Sequence, residues 1–407
     1  MKTIDGGVTA AKGFEAAGVA AGIKYQNRKD MALIYSTVPA VAAGTFTRNV
    51  VKAAPVLWDM DVLANSGDVR AVVVNAGIAN ACTGHAGQEH CVRTAEAAAA
   101  ALGIETNEVL LGSTGVIGMP LPIARIEAGV EALVREKSGE RASAHAAATA
   151  IMTTDTRVKE VAVVTEIGDS TVTIGGMAKG SGMIHPNMST LLAYVTTDAA
   201  ISHEMLTKAV SEIVTETYNM VSVDGDTSTN DTLLVLANAL ADNPVIWEEG
   251  EDYHNFKTAL HYVNRALAKM IAADGEGATT LIEVEISGAV DITSAQALAK
   301  SVVASSLVKA AVYGRDANWG RILCALGYAG VPFDPAAVSL AFTSENGHLV
   351  IYEYGQATDY DEEVAGEILQ ASTVTIAVKM GEGEAAATAW GCDLTEEYVK
   401  INADYRS

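Results

Sequence analysis

Strict alternation of apolar and polar side chains marks a half-buried strand, and apolar residues three and four apart mark a helix face. Both patterns run through this chain. Leu281-Ile282-Glu283-Val284-Glu285-Ile286 alternates, whereas Ala71-Val72-Val73-Val74 is apolar throughout, as a strand buried on both faces would be. Asn75-Ala76-Gly77 after it is a turn signal. Residues 31–35, 43–47, 109–111, 349–352 and 373–378 predict further short strands. Residues 160–164 and 171–174 predict a hairpin around Gly168-Asp169. Helices are predicted from Gln88 to Leu102, with Gly103 as the stop, and from about Ile123 to Lys137. Another starts at the cap Ser202 and carries Met205, Leu206, Ala209, Val210 and Ile213 at helical spacing. Leu260, Val263, Leu267, Met270 and Ile271 mark a fourth, ending at Asp274-Gly275, and Thr293 to Ala311 a long fifth.

Strands come in pairs with helices between them. This is not the regular alternation of a doubly wound sheet, so the expected class is α/β of the α+β type, with helices packed outside sheets. Aromatic residues are only 5% of the chain against 49% apolar residues, so the core must be Ala, Val, Ile and Leu. A length of 407 residues suggests two or three domains. The net charge of −23 argues against nucleic acid and anionic membrane surfaces, which require a basic footprint. Four scattered cysteines do not make a disulfide scaffold. The first residues lack the apolar core of a signal peptide, and no run approaches the ~20 apolar residues of a membrane span. A soluble, cytoplasmic protein is expected.

One stretch joins two kinds of sequence abruptly. Lys179-Gly180-Ser181-Gly182-Met183-Ile184-His185-Pro186-Asn187-Met188-Ser189-Thr190 is broken by glycine and proline, and Leu191 to Thr197 is a short apolar strand bounded by Asp198. Thr190 stands at the junction. A threonine here is either the β-branched first residue of a strand or the nucleophile of an N-terminal-nucleophile enzyme. In the second case the preceding peptide bond is cut by the protein itself. The freed α-amine, with a pKa near ~8, then serves the same residue's hydroxyl as base.

The whole stretch closely resembles the Lys-Gly-x-Gly-Met-Ile-x-Pro-Asn-Met-Ala-Thr signature of the ornithine acetyltransferase, or glutamate N-acetyltransferase, family. Ser189 stands where the family usually has alanine, and is small as well. The resemblance extends to residues 75–84, 113–118, 152–156, 223–232, 274–279 and 313–321 and to the last six residues, so it spans essentially the whole chain. It implies an αββα sandwich with an N-terminal-nucleophile-like site, cleavage between Ser189 and Thr190, and chains 1–189 and 190–407 that stay associated as a heterotetramer of two of each. It also implies transfer of acetyl from N-acetylornithine to glutamate through acetyl-Thr190, in arginine biosynthesis, without metal or cofactor. Acetyl-CoA as a second acetyl donor stays open.

The resemblance assigns Thr114 and Gly115 to the oxyanion hole, and Thr153, Lys179, Thr190, Glu276, Asn402 and Ser407 to substrate binding. The chemistry suits these residue types. A Gly-rich turn after a strand aims main-chain N–H groups and a hydroxyl at one point. A lysine and a glutamate meet the carboxylate of an N-acetylated amino acid and the ammonium of ornithine. Taken singly, Thr114-Gly115 is an ordinary turn, Lys179 and Glu276 are solvated charges, and Asn402 and Ser407 belong to a frayed terminus.

Three other constellations compete for attention. Gly381-Glu382-Gly383-Glu384 mimics a dinucleotide loop, but its glutamates repel a pyrophosphate. Cys82, His85, His90 and Cys91 do not have the spacing of a zinc site. The acidic run Asp224 to Asp231 lacks the late glutamate of a calcium loop and reads as a hydrogen-bonded turn network. Two further functions remain open beside the transferase: an amidase or aminopeptidase that passes its acyl group to water, and an uncleaved metabolite-binding protein.

Overall fold

The computed structural model describes residues 1–185 and 191–404. In chain order the first strands are β1 Lys2–Ile4, β2 Phe14–Val19, β3 Met31–Phe46, β4 Val69–Ile78, β5 Val109–Val116, β6 Lys159–Ile167, β7 Ser170–Lys179, β8 Leu192–Thr197, β9 Val221–Ser222 and β10 Thr232–Ala237. The helices among them are α1 Ala54–Asn65, α2 Gly84–Leu102, α3 Ile123–Glu136, α4 Arg141–Ala150, α5 His203–Glu216 and α6 Glu251–Ala273. The remaining strands are β11 Leu281–Ala289, β12 Ser339–Ser344, β13 Gly347–Glu353, β14 Gln356–Ala357, β15 Thr373–Lys379 and β16 Ala385–Cys392. The remaining helices are α7 Ile292–Ala304, α8 Ser306–Tyr313, α9 Trp319–Gly327, α10 Glu362–Ile368 and α11 Glu396–Ala403.

The chain makes two compact units, each drawn from three segments. The first takes residues 1–180, 187–218 and 227–267, and the second takes 181–186, 219–226 and 268–407.

In the first unit nine strands run in the order β1-β6-β7-β8-β10-β3-β4-β5, with β2 on the free side of β3. The long strand β3 belongs to both halves. Its first part, Met31 to Ser36, pairs with β2 and β4, and its last part, Val41 to Phe46, pairs with β10. The ladder with β4 is interrupted between Tyr35 and Ala40, and Pro39 lies in that gap, where its missing N–H is not needed.

Past the interruption the two halves pack face to face. Ile34, Val72, Val74 and Leu110 of one share a buried cluster with Met177, Leu192, Tyr194, Leu234 and Leu236 of the other. The contact is close: a Cβ at Gly112 in β5 would overlap the Tyr194 hydroxyl of β8. On the opposite face of the first half, Leu33, Ala71, Val73, Val109 and Leu111 alternate with the inner residues and are covered by Cys91, Ala95, Ala98 of α2 and Ile126, Val130, Leu133 of α3. Behind the other half, α6 brings Val263 and Leu267 to Gly176, and α5 packs on β3. The unit is therefore an αββα sandwich, and its inner faces are built from aliphatic side chains, as the scarcity of aromatics requires.

The second unit is a seven-stranded mixed sheet in the order β14-β13-β12-β15-β11-β16-β9, with α7 packed on β11 and β16. The helix expected from Thr293 to Ala311 is two helices. It breaks at Ser305, whose hydroxyl accepts from the Val308 N–H and starts α8 afresh. The hairpin around Gly168-Asp169 forms with Ile167 opposite Ser170 and Gly168 at φ 56°. The Ser202 cap accepts from Met205 N–H at 3.2 Å. Among the described residues no helix is long and apolar enough to cross a membrane.

Candidate active site

Thr114 and Gly115 lie at the end of β5, half-buried, beside the end of the parallel strand β4. The local sequence leaves little choice of backbone here. Gly115 has φ 128°, and a Cβ on it would overlap the carbonyl carbon and oxygen of Gly77. Only glycine fits such a conformation and such an approach. The pair is set by buried polar groups. The Ser113 hydroxyl donates to Asn75 Oδ1 at 2.6 Å, and Asn75 Nδ2 donates to the Ile78 carbonyl at 2.9 Å. Asn230 Nδ2 donates to the carbonyls of Ala79 (2.6 Å) and Ser113 (2.8 Å).

Lys179 and Thr153 meet at Asp155. Asp155 Oδ1 accepts from Lys159 Nζ at 2.8 Å and from the Gly180 N–H at 2.6 Å. Its Oδ2 accepts from the Thr153 N–H at 3.0 Å and lies 3.8 Å from Lys179 Nζ. Burial pushes the Asp155 carboxyl up, but the Lys179 and Lys159 ammoniums and these hydrogen bonds outweigh it and hold the group below the usual carboxylate range. Arg28 Nη2 pins the same segment by donating to the carbonyls of Met152 and Thr153. Lys179 is thus a buried cation at the end of β7, not a solvated charge.

Asn230 and Asp231 stand between these two clusters. Asp231 is buried; burial raises its pKa well above the ordinary value, and bonds from Ser228 and Thr47 and the charge of Lys179 offset part of that. The next residue, Thr232, donates its N–H to the Leu191 carbonyl at 2.8 Å and opens β10 parallel to β8. Ser189 and Thr190 lie outside the described residues, as does Ser407. β8 opens at Leu192, two residues after Thr190.

In the second unit Glu276 is buried and its Oε2 accepts from Asn402 Nδ2 at 2.7 Å, so Asn402 is tied down by a helix end rather than frayed. Gly182 touches the same carboxylate: a Cβ there would overlap Glu276 Cδ and both oxygens. The loop is fastened further. Glu276 N–H donates to the Ser181 carbonyl at 2.8 Å, and Asp224 accepts from the N–H groups of Met183 (2.6 Å) and Ile184 (2.9 Å) and from the Tyr398 hydroxyl (3.2 Å). Asp224 is therefore the centre of a turn network. Met183 is held at φ 56°, a strained value for this side chain. His185 Nδ1 lies 3.0 Å from the Ser222 hydroxyl; burial and the Lys300 charge, against Asp224, push its pKa down to about 4.

The structure thus brings together Thr114 with Gly115, Thr153 with Lys179, and Glu276 with Asn402. Motif reading passed over Asp155, Asn230 and Asp231 as individuals. The available signal was position: Asn230 and Asp231 end a run of hydrogen-bonding residues directly before an apolar strand, where side chains turn inward. His85 pairs with Glu89 on α2 at 3.2 Å, and the described residues contain no group of three or more His, Cys, Asp or Glu placed to hold a metal.

Comparison with known proteins adds the lineage. A curated relative from Thermotoga neapolitana, named an arginine biosynthesis bifunctional protein ArgJ, is 49% identical over 397 residues, 97% of this chain and 99% of its own. One of the same name from Symbiobacterium thermophilum is 50% identical over 409 residues, covering both chains in full. A solved chain of ornithine acetyltransferase from Mycobacterium tuberculosis, complexed with ornithine, is 50% identical over 45% of this chain and 96% of its own, with a TM-score of 0.43. The family model described as the ArgJ family matches residues 15–407, and with relatives this similar along their whole length the chain belongs to the ArgJ family.

Proposed function

We propose that this chain is an acyltransferase of arginine biosynthesis that moves an acetyl group from N-acetylornithine to glutamate through acetyl-Thr190, after cutting itself between Ser189 and Thr190. The observation that carries the reading is the match to the ArgJ family over residues 15–407, with the relatives' shared name. The glycine-built turn at Thr114 and Gly115, fixed by buried amides, supports it.

In this scheme Thr190 Oγ attacks the acetyl carbonyl carbon and its hydroxyl proton passes to the α-amine of the same residue. The carbonyl oxygen takes the negative charge and is met by Thr114 and Gly115, a stabilisation of about 3 kcal/mol for a fixed donor. Collapse breaks the amide C–N bond. Ornithine leaves as the amine, carrying the proton. The α-amine of glutamate then attacks the acetyl ester and Thr190 recovers its hydroxyl. Lys179 meets the substrate carboxylate, and Glu276 with Asn402 meets an ammonium. One amide is exchanged for another, so the exchange requires neither ATP nor metal. Acetyl-CoA as donor to the same threonine would be a second activity of this site. The cleaved chains assemble as two of each in the cytoplasm.

An intact-mass spectrum of purified protein tests the scheme. Two fragments are expected, 1–189 and 190–407, with one acetyl group added to the later one on incubation with N-acetylornithine. Thr190→Ala should remain one chain and transfer nothing. A Thr190→Ala protein that still separates and still exchanges acetyl groups overturns the proposal. Release of free acetate independent of glutamate would make the enzyme a hydrolase instead.

A further inference from the structure

The ladder between β4 and β5 loses its regular register at Gly77 and Ile78, beside Thr114 and Gly115. Pairing resumes there in a shifted register, with Ile78 opposite both Thr114 and Val116. Side chains brace the shift: Asn75 through the Ser113 hydroxyl, and Asn230 through two main-chain carbonyls. Asn230 is buried, and both protons of its amide are used, on the Ala79 carbonyl beyond β4 and the Ser113 carbonyl in β5. Its Oδ1 accepts from the Thr229 hydroxyl at 2.6 Å. A flipped amide would set an oxygen against two carbonyl oxygens, so chemistry fixes its orientation.

The Ser113 carbonyl belongs to the planar Ser113–Thr114 peptide. Holding its oxygen fixes that plane, and with it the start of the turn that carries Thr114 and Gly115. On the far side Gly115 is stopped by the Gly77 main chain. The same short segment reaches the strand behind Thr190, because Thr232 N–H holds the Leu191 carbonyl. Asn230 and Thr232 are two residues apart, so a short segment connects the turn with Leu191, the residue just before that strand.

We infer that Asn230 is a positioning residue for the oxyanion turn: it sets the direction of the Thr114 and Gly115 donors and their separation from the strand that follows Thr190. The inference rests on the assignment of Thr114 and Gly115 to the oxyanion hole. Asn230 touches no reacting atom. It acts through Thr114.

The test is a double-variant cycle on the full chain, with kcat and KM for exchange measured on the cleaved fraction quantified by intact mass. Asn230→Asp keeps the size and the acceptor for Thr229 but loses both donors. It should lower kcat about 10- to 100-fold with KM within about threefold. Thr114→Ala should lower kcat strongly in the wild-type background and much less in the Asn230→Asp background, because the misdirected turn has already lost its benefit. Effects that multiply independently, or a kcat for Asn230→Asp within about twofold of wild type, overturn the inference. If Asn230→Asp does not unfold cooperatively, Asn230→Ser replaces it, with one donor on a shorter arm. If cleavage itself stalls, the same cycle is read on cleavage half-times. A Thr114→Ala variant with undiminished exchange refutes the oxyanion assignment instead, a result separate from failure at Asn230 alone.

Discussion

Asp155 and Asp59 are the same residue type, both buried in the first unit, and they meet opposite fates. Asp155 sits among site residues with two ammoniums and two main-chain N–H groups around it and stays charged below the usual range. Asp59, on α1 in the core, accepts one bond at 2.7 Å from the Leu111 N–H, and its other oxygen has no partner among the described residues. Burial raises its pKa well above the ordinary value, and the Leu111 bond offsets only part. Burial is common to both, so the cations decide. Where the fold supplies Lys159 and Lys179 it favours the carboxylate; where it supplies a single amide it shifts the balance toward the neutral acid.

The largest expected effect is at the charged site. Asp155→Ala leaves the Lys159 ammonium buried without its carboxylate and should destabilise the protein by about 3–5 kcal/mol. Urea unfolding would show the midpoint falling at constant slope. A loss under about 1 kcal/mol would erase the contrast.

Asp59→Asn tests the other side, with the opposite sign. The folded pKa of Asp59 lies above the unfolded value of 3.8. Its contribution to stability is intact below that value and is lost as pH rises toward the folded pKa. Asparagine does not titrate. The variant should gain on wild type by up to about 1.4 kcal/mol per pH unit above the unfolded pKa. Unfolding free energies between pH 5 and 8 would reveal it, and a constant difference would contradict the upward shift.

A smaller change is expected on the acid limb. Asp155 has a depressed pKa, so its contribution is present above 3.8 and lost as pH falls through the folded pKa. Asp155→Asn should flatten the stability profile below pH 4. The smallest effect concerns a base in the second unit. His185, pushed down to about 4, contributes stability present above 6.5 and lost as pH falls toward 4. His185→Gln should lessen the loss over that window, read from thermal midpoints against pH.

Much of this was legible in the sequence, and the exceptions have physical causes. The strands at residues 71–74 and 281–286 form as their patterns predict, and Gly103 ends α2 in a left-handed conformation at φ 69°. α1 escaped notice because Asp59 is a polar residue at a buried position, which spoils the apolar stripe. α4 escaped because a face of alanines carries little periodic contrast. Residues 31–35 and 43–47 read as two strands because Ser36 to Pro39 looks like a break; the chain instead continues and changes partners. Of the candidate-site residues, motif resemblance singled out Thr114, Gly115, Lys179 and Glu276. It did not separate Asn230, Asp231 and Asp155 from their neighbours, because what distinguishes these three is three-dimensional: which main-chain groups and charges they face.

The placement of β8 and β10 constrains any life the molecule leads as two polypeptides. β8 lies between β7 and β10, and β10 lies between β8 and β3. A cut anywhere from residue 186 to residue 190 would leave each product owning strands that interleave with the other's in a single hydrogen-bonded sheet. Prising the products apart would expose raw β-edges on both, an invitation to clump. Such fragments should behave as one inseparable body, and neither should refold when produced without the other.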